Sequence, residues 1–143
     1  MTKKLRVVRA LVDARTRMRD VAAAAHSTAA AQRDHAARAL SDEQAALESH
    51  LDGAVDALAS VRHIHELDRV AESTGVYRFA VADAHVRHVE AHAASEATAG
   101  KLRDHTRQLR TAERLVDVIE EHRTKQEARA EQRGHDELAA RRR

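Results

Sequence analysis

The sequence predicts an all-α fold, an elongated antiparallel hairpin of two long helices forming a coiled coil. Three observations lead there. First, bulk is scarce. Apolar residues make up 43% of the 143-residue chain, but 31 of them are alanine and only 30 are larger. The aromatic side chains are Tyr77 and Phe79 alone, and Pro, Cys and Trp are absent. A rounded globule with so little volume buries too little surface to offset the entropy of ordering its chain. Second, the abundance of Ala, Arg, Glu and Leu, with 34% charged residues, suits long helix. Third, apolar residues recur at three- and four-residue intervals over most of the chain, and no stretch alternates long enough for a strand.

The first helix is expected over about 3–70. Within it Leu40, Gln44, Leu47, Leu51, Ala54, Leu58, Val61 and His65 keep the 3.5-residue rhythm of a coiled-coil seam, with Gln44 and His65 as polar interruptions. Upstream, Val8, Leu11, Met18, Ala22, Ala25 and Ala29 form a seam in a different phase, so a local unwinding is expected between them. The reversal is expected at about 71–76. Ser73-Thr74-Gly75 combines a residue free to adopt a left-handed backbone with helix-capping hydroxyls. An earlier reversal, around Val61 to Arg69, is the alternative. The second helix then covers about 76–140. Leu102, Leu109 and Val116 lie seven apart, Ala112 and Ile119 fill the alternate positions, and Val76, Phe79, Val86, Val89, Ala93 and Ala97 give a looser stripe before them. Folding about residue 76 sets Gly53 beside Gly100, Leu51 beside Leu102, Gln44 beside Leu109 and Ala37 beside Val116.

The near-neutral net charge of +2 conceals a segregation. Residues 1–20 carry seven Lys/Arg against two acids, residues 21–100 six against twelve, and residues 101–143 twelve against nine. A central hairpin therefore brings two basic ends together as a positive root, which suits either a solvated helix end or docking to an acidic partner. The longest wholly apolar run, Val21–Ala25, is far short of the ~20 residues that span a bilayer. No apolar leader core follows the basic N-terminus, and a soluble, cytoplasmic protein is expected.

The tail narrows the reading. The run from Gly100 to Leu115 is followed by Glu131-Gln132-Arg133-Gly134-His135-Asp136-Glu137-Leu138-Ala139-Ala140-Arg141-Arg142. This resembles the C-terminal signature of the FliJ/YscO family of type III secretion proteins. In that family an acidic-Gln-basic cluster precedes an acidic pair, an apolar residue, Ala and Arg. The resemblance covers about residues 100–142. It is weaker at the N-terminus, where basic residues flank Leu5, Val8 and Leu11, and in the middle it is one of length and helical character. Gly134 departs from the pattern and puts the continuity of the terminal helix in question.

The resemblance implies a non-enzymatic central stalk of a type III, foremost flagellar, export apparatus. Family members insert paired termini into the hexameric export ATPase ring, promote its assembly and hydrolysis, contact the cytoplasmic domain of the export gate and can hold export chaperones. By this likeness the root contacts are Lys4, Arg6, Arg9, Glu131, Gln132, Asp136, Glu137, Arg141 and Arg142. Tyr77 and Phe79 resemble aromatic positions that begin the second helix in some members and face the gate; closing the hairpin tip as core is the plainer role for Phe79. Location would be cytoplasmic, held at the inner membrane through partners alone. A generic coiled-coil adaptor, or a stator like the peripheral stalk of a rotary ATPase, shares every compositional feature.

Other chemistry has little support. Of eleven histidines, His85, His88 and His92 share one helix face and are the candidate metal ligands, with His88/His92 at the four-residue spacing of a metal-binding pair, but no motif completes that pair to the closed set of four that a structural site prefers. His63 and His65 can approach across the tip. No glycine-rich phosphate loop exists. The carboxylate pairs Glu120/Glu121 and Asp136/Glu137 have no pocket to perturb them. No catalytic or cofactor-binding residue is assigned and no cofactor is expected. Arg15, Arg17 and Arg19 spread around a helix, and stacking aromatics are nearly absent, which argues against nucleic acid.

Overall fold

A computed structural model describes the backbone of residues 2–141 and the side chains of residues 3–137. Two helices, α1 (Thr2–Ala59) and α2 (Ile64–Arg141), account for all of it except a four-residue connection, and they pack antiparallel as an all-α hairpin. There is no strand among the described residues.

The reversal lies at residues 60–63, not at 71–76; Ser73, Thr74 and Gly75 are inside α2. Ser60 ends α1 by turning both its N–H and its hydroxyl to the Ala57 carbonyl, at 3.1 and 2.9 Å. Glu66 opens α2. Its carboxylate accepts the N–H groups of Arg62 and His63, at 2.9 and 3.4 Å. This is the back-reaching half of a capping box, in which a carboxylate three residues into the helix serves donors that the helix itself leaves free. The turn uses no residue at positive φ, so it needs no glycine. The four glycines are all helical, and a Cβ at any of them would meet nothing within 4 Å.

The buried and half-buried positions of α1 keep one phase from end to end. Leu5, Val8, Val12, Arg15, Arg19, Ala22, His26, Ala29, Arg33, Ala36, Leu40, Glu43, Leu47, His50 and Ala54 follow at alternating intervals of three and four. The expected change of phase is therefore absent. Leu11, Met18 and Ala25 lie off the seam and are exposed, as are Gln44, Leu51, Leu58 and His65. Two seam arginines are tolerated because their stems cover the groove while their guanidinium groups turn out to neighbouring acids, Arg33 to Asp34 at 2.7 Å and Arg19 to Asp20. In α2 the seam is Val70, Thr74, Tyr77, Val81, Ala84, His88, Ala91, Ser95, Thr98, Leu102, His105, Leu109, Ala112, Val116 and Ile119. The second-half reading holds for Leu102, Leu109, Ala112, Val116 and Ile119. The looser stripe does not: Val76, Phe79, Val86, Val89, Ala93 and Ala97 all face outward.

The chain divides into two compact units, one formed by residues 24–100 and the other by residues 1–23 with 101–143. In the first, His26 Nδ1 and Thr98 Oγ1 share a hydrogen bond of 3.3 Å, and His50 Nε2 and Thr74 Oγ1 one of 3.0 Å. Thr74 already donates its hydroxyl hydrogen to the Val70 carbonyl at 2.7 Å, so the imidazole N–H is the donor. Tyr77 stacks on His50 with ring centroids 4.5 Å apart. In the second unit Arg9 pairs with Glu120 at 2.6 Å and Arg15 donates to Gln108 at 2.5 Å. The register expected for a reversal at residue 76 is overturned by these pairs. Leu109 is next to the partner of Arg15, not of Gln44, and Gly100 is close in sequence to the partner of His26, far from Gly53.

Candidate functional site

The position of the turn determines where the charged ends go. α1 has 58 residues and α2 has 78, so α2 outlasts its partner. Lys4 shares a shallow groove with Val118, Ile119, His122 and Gln126. Leu5, Arg6, Arg9, Ala10 and Asp13 line another with Arg123. Beyond Gln126 the helix carries on through Arg141, about 22 Å of unaccompanied helix at 1.5 Å per residue. Every side chain from Glu121 to Glu137 is exposed.

The basic segment 1–20 does lie beside the second basic segment, in one unit with residues 101–143, but it reaches only as far as about Gln126 and not to the tail motif, as a turn at 71–76 would have it. Lys4, Arg6 and Arg9 lie at the level of Val118 to Arg123. Glu131, Gln132, Asp136 and Glu137 lie on the extension and are exposed. Arg141 is its last helical residue, with its side chain outside those described, and Arg142 lies outside the described residues altogether. The tail and the N-terminal cluster make two sets, separated along one unit. Gly134 does not break the helix.

At the root of the extension, where α2 leaves its partner, surface pairs within the helix support it. Arg123 meets Glu127 at 3.2 Å, and Lys125 meets Glu121 at 2.5 Å, each four residues apart. The Lys125 ammonium, hydrogen-bonded to Glu121, holds that carboxyl below the usual glutamate range. Such pairs add a few tenths of a kcal/mol each to a helix. They are satisfied within the helix, so the faces bearing Gln132, Asp136 and Glu137 are left available for contact.

The remaining expected site residues are scattered. Tyr77 is in the seam and Phe79 points to solvent. Both lie more than three turns after the start of α2 at Ile64, so neither begins the second helix, and Phe79 is not core. Of the histidines on one face, His88 is half-buried in the seam while His85 and His92 are exposed; His88 and His92 meet edge to face with centroids 6.4 Å apart. His63 and His65 stack on one another at 5.4 Å. Among the described residues no three His, Asp or Glu side chains gather as a metal site would require. Glu120 is occupied by Arg9 and Glu121 by Lys125.

One buried group escaped sequence reasoning. His105 Nδ1 is enclosed in the seam without a hydrogen-bond partner, a position that only the phase of Leu102 and Leu109 signals. No described helix is long and apolar enough to cross a membrane. Comparison of the chain with protein-family models, with curated proteins and with solved structures finds no match.

Proposed function

We propose that the protein is a non-enzymatic central-stalk component of a type III, foremost flagellar, export apparatus, acting through the free end of α2 on the export ATPase hexamer. One observation carries this reading: of the residues 100–142 that resemble the FliJ/YscO tail, the terminal motif from Glu131 onward lies on the part of α2 that extends beyond its partner, with the side chains of residues 131–137 all exposed. A single helix is narrow enough to enter the centre of a ring where a helix pair is wider. Its mixed charges suit reversible contact, steered by long-range attraction and weakened by salt. In this role Glu131, Gln132, Asp136, Glu137, Arg141 and Arg142 meet the ring pore. Lys4, Arg6 and Arg9 sit further down as a basic collar at its mouth. Export-gate and chaperone contacts fall to the hairpin, where Phe79 is the exposed aromatic.

The test combines the purified chain with a flagellar export ATPase and measures hexamer formation and ATP hydrolysis. The intact chain raises both. A chain ending at Gln126 keeps its helical hairpin by circular dichroism and loses the stimulation, and Gln132→Ala/Asp136→Ala weakens it several-fold. Stimulation by the shortened chain at the intact level removes the tail from the mechanism. No stimulation by the intact chain removes the stalk role.

The alternative, a coiled-coil adaptor or peripheral-stalk-like protein, is favoured by a different observation: large apolar side chains lie exposed in rows outside the seam. It is separated from the stalk reading by the same assay, because an adaptor leaves hydrolysis unchanged.

A further inference from the structure

Two rows of apolar side chains keep a coiled-coil rhythm on faces that the hairpin does not bury. In the unit of the chain ends, Val7, Leu11, Met18 and Val21 follow at intervals of four, seven and three along α1, with Ala14 in the gap. Leu115 and Val118 are exposed on α2 in the same unit. Arg15 marks the side they share, since its guanidinium reaches Met18 Sδ at 4.0 Å on its own helix and Gln108 Oε1, about two turns from Leu115, on the other. In the unit of residues 24–100, the back of α2 carries Phe79, Ala82, Val86, Val89 and Ala93 at intervals of three, four, three and four. Phe79 is 75% exposed, and Val86 and Val89 are both more than half exposed. Single exposed aliphatics are ordinary, but a heptad row of them is the form in which a helix presents a seam to another helix.

The two rows sit in opposite electrostatic surroundings. Residues 1–23 with 101–143 hold nineteen Lys/Arg against eleven Asp/Glu, and residues 24–100 hold six against twelve. The same holds locally. Lys3, Arg6 and Arg17 are exposed around the first row, with Asp13 and Asp20 opposing them. Glu72, Asp83, Glu90 and Glu96 surround the second, with Arg78 and Arg87 opposing and Arg87 paired to Asp83, which leaves a net acidic margin. We infer that these faces are made for one another and that the protein self-associates, the basic Val7–Val21 face of one copy packing on the acidic Phe79–Ala93 face of a second. Rows of similar length and equal period bring knobs and holes into step over several turns. The opposed charges then favour pairing of unlike faces over pairing of like ones.

Sedimentation velocity on the full chain tests this from micromolar to hundreds of micromolar, at low and high salt. A mass above the 15.9 kDa of one chain is expected, growing with concentration and falling with salt. Leu11→Glu/Met18→Glu and Val86→Lys/Val89→Lys, outside the seam, keep full helicity by circular dichroism and each weaken self-association about tenfold or more. The two variants mixed together form a complex again, because the first retains an intact acidic face and the second an intact basic one. A wild-type chain that stays at single-chain mass throughout overturns the inference. So does failure of the mixed variants to associate, since that outcome means like faces pair or other surfaces are used.

Discussion

In the unit of the chain ends the seam carries Leu5, Val8, Val12, Leu102, Leu109, Val116 and Ile119. In the unit of residues 24–100 a long stretch of it carries Ala29, Ala36, Ala84, Ala91 and Ser95. Both are two-helix seams in the same alternation of three and four. The first is richer in aliphatic volume, although Ala22 and Ala112 are also buried in it, while the second keeps Leu40, Leu47, Val70, Tyr77 and Val81 and has small residues over that stretch, where helices can pack closely. Histidine and threonine pairs complete the second: His26 with Thr98 and His50 with Thr74. Directional hydrogen bonds of this kind discriminate one register from another, while aliphatic layers reward any register that excludes water. The difference teaches a division of labour, with bulk for stability in one unit and fit for register in the other.

Opposite responses to a change of size follow. Leu109 is only 5% exposed, and Leu109→Ala should cost about 2–4 kcal/mol, the range for a truncated core leucine, read as a lowered thermal or urea midpoint. Truncation is the damaging direction there. In the other unit enlargement is: Ser95, 1% exposed, leaves no space for four carbons, and Ser95→Leu should cost about 1–3 kcal/mol by overpacking. If Ser95→Leu instead stabilises, as a larger residue in a loosely filled seam would, the small-residue unit is underpacked and the comparison fails.

The fold class and the second-half seam were legible, because Leu102, Leu109 and Val116 are seven apart with apolar residues between them and no competing row nearby. The first-half seam was not. Arg15, Arg19, Arg33 and Glu43 occupy it, while Leu11, Met18 and Leu51 lie off it. Hydrophobicity alone selects the wrong row where alanine must be chosen over leucine. The turn falls at the start of the alternative range, Val61 to Arg69, and not at the glycine-marked 71–76, for a related reason. Glycine marks a reversal that needs positive φ, whereas this turn has none and relies on Ser60 and Glu66. Each residue by which the turn moves shifts the pairing by two, so a turn at 71–76 sets the N-terminal cluster beside the tail motif instead of beside residues 108–126 and conceals the α2 extension. The tail residues enter only through a resemblance carried by their order, since neither periodicity nor burial marks an exposed helix end as a site.

The turn offers the next measurements. Glu66→Ala removes the acceptor for two backbone N–H groups and should lower stability by about 1 kcal/mol, as loss of a helix cap does; Glu66→Gln should recover part of it. Gly75→Ala separates the two turn positions by sign. In a turn at 71–76 alanine would be strained, but within α2, with open space around its Cβ, it should raise stability by about 0.8 kcal/mol through helix propensity. A fall in the unfolding midpoint would return the reversal to Ser73-Thr74-Gly75.

The smallest effect concerns the root of the extension, where the side chains are exposed and surface charge dominates. The hydrogen bond from Lys125, reinforced by its charge, depresses the Glu121 pKa. A carboxyl that ionises more readily in the helix than in the open chain favours helix only while ionised. Its contribution is therefore complete above the ordinary glutamate range and disappears as pH falls through the depressed value. Carbon-detected titration of Glu121 should give a midpoint below the ordinary range, moving back to it in Lys125→Met, with a slight loss of helicity in residues 121–137 on acidification that the variant lacks. Because this pair is fully exposed, salt should erase much of the difference, whereas salt should leave the Leu109→Ala deficit in the bulk-filled seam unchanged. A midpoint insensitive to Lys125→Met would mean that the Glu121–Lys125 pair does not form in solution and that helix at the root of the extension is held without it.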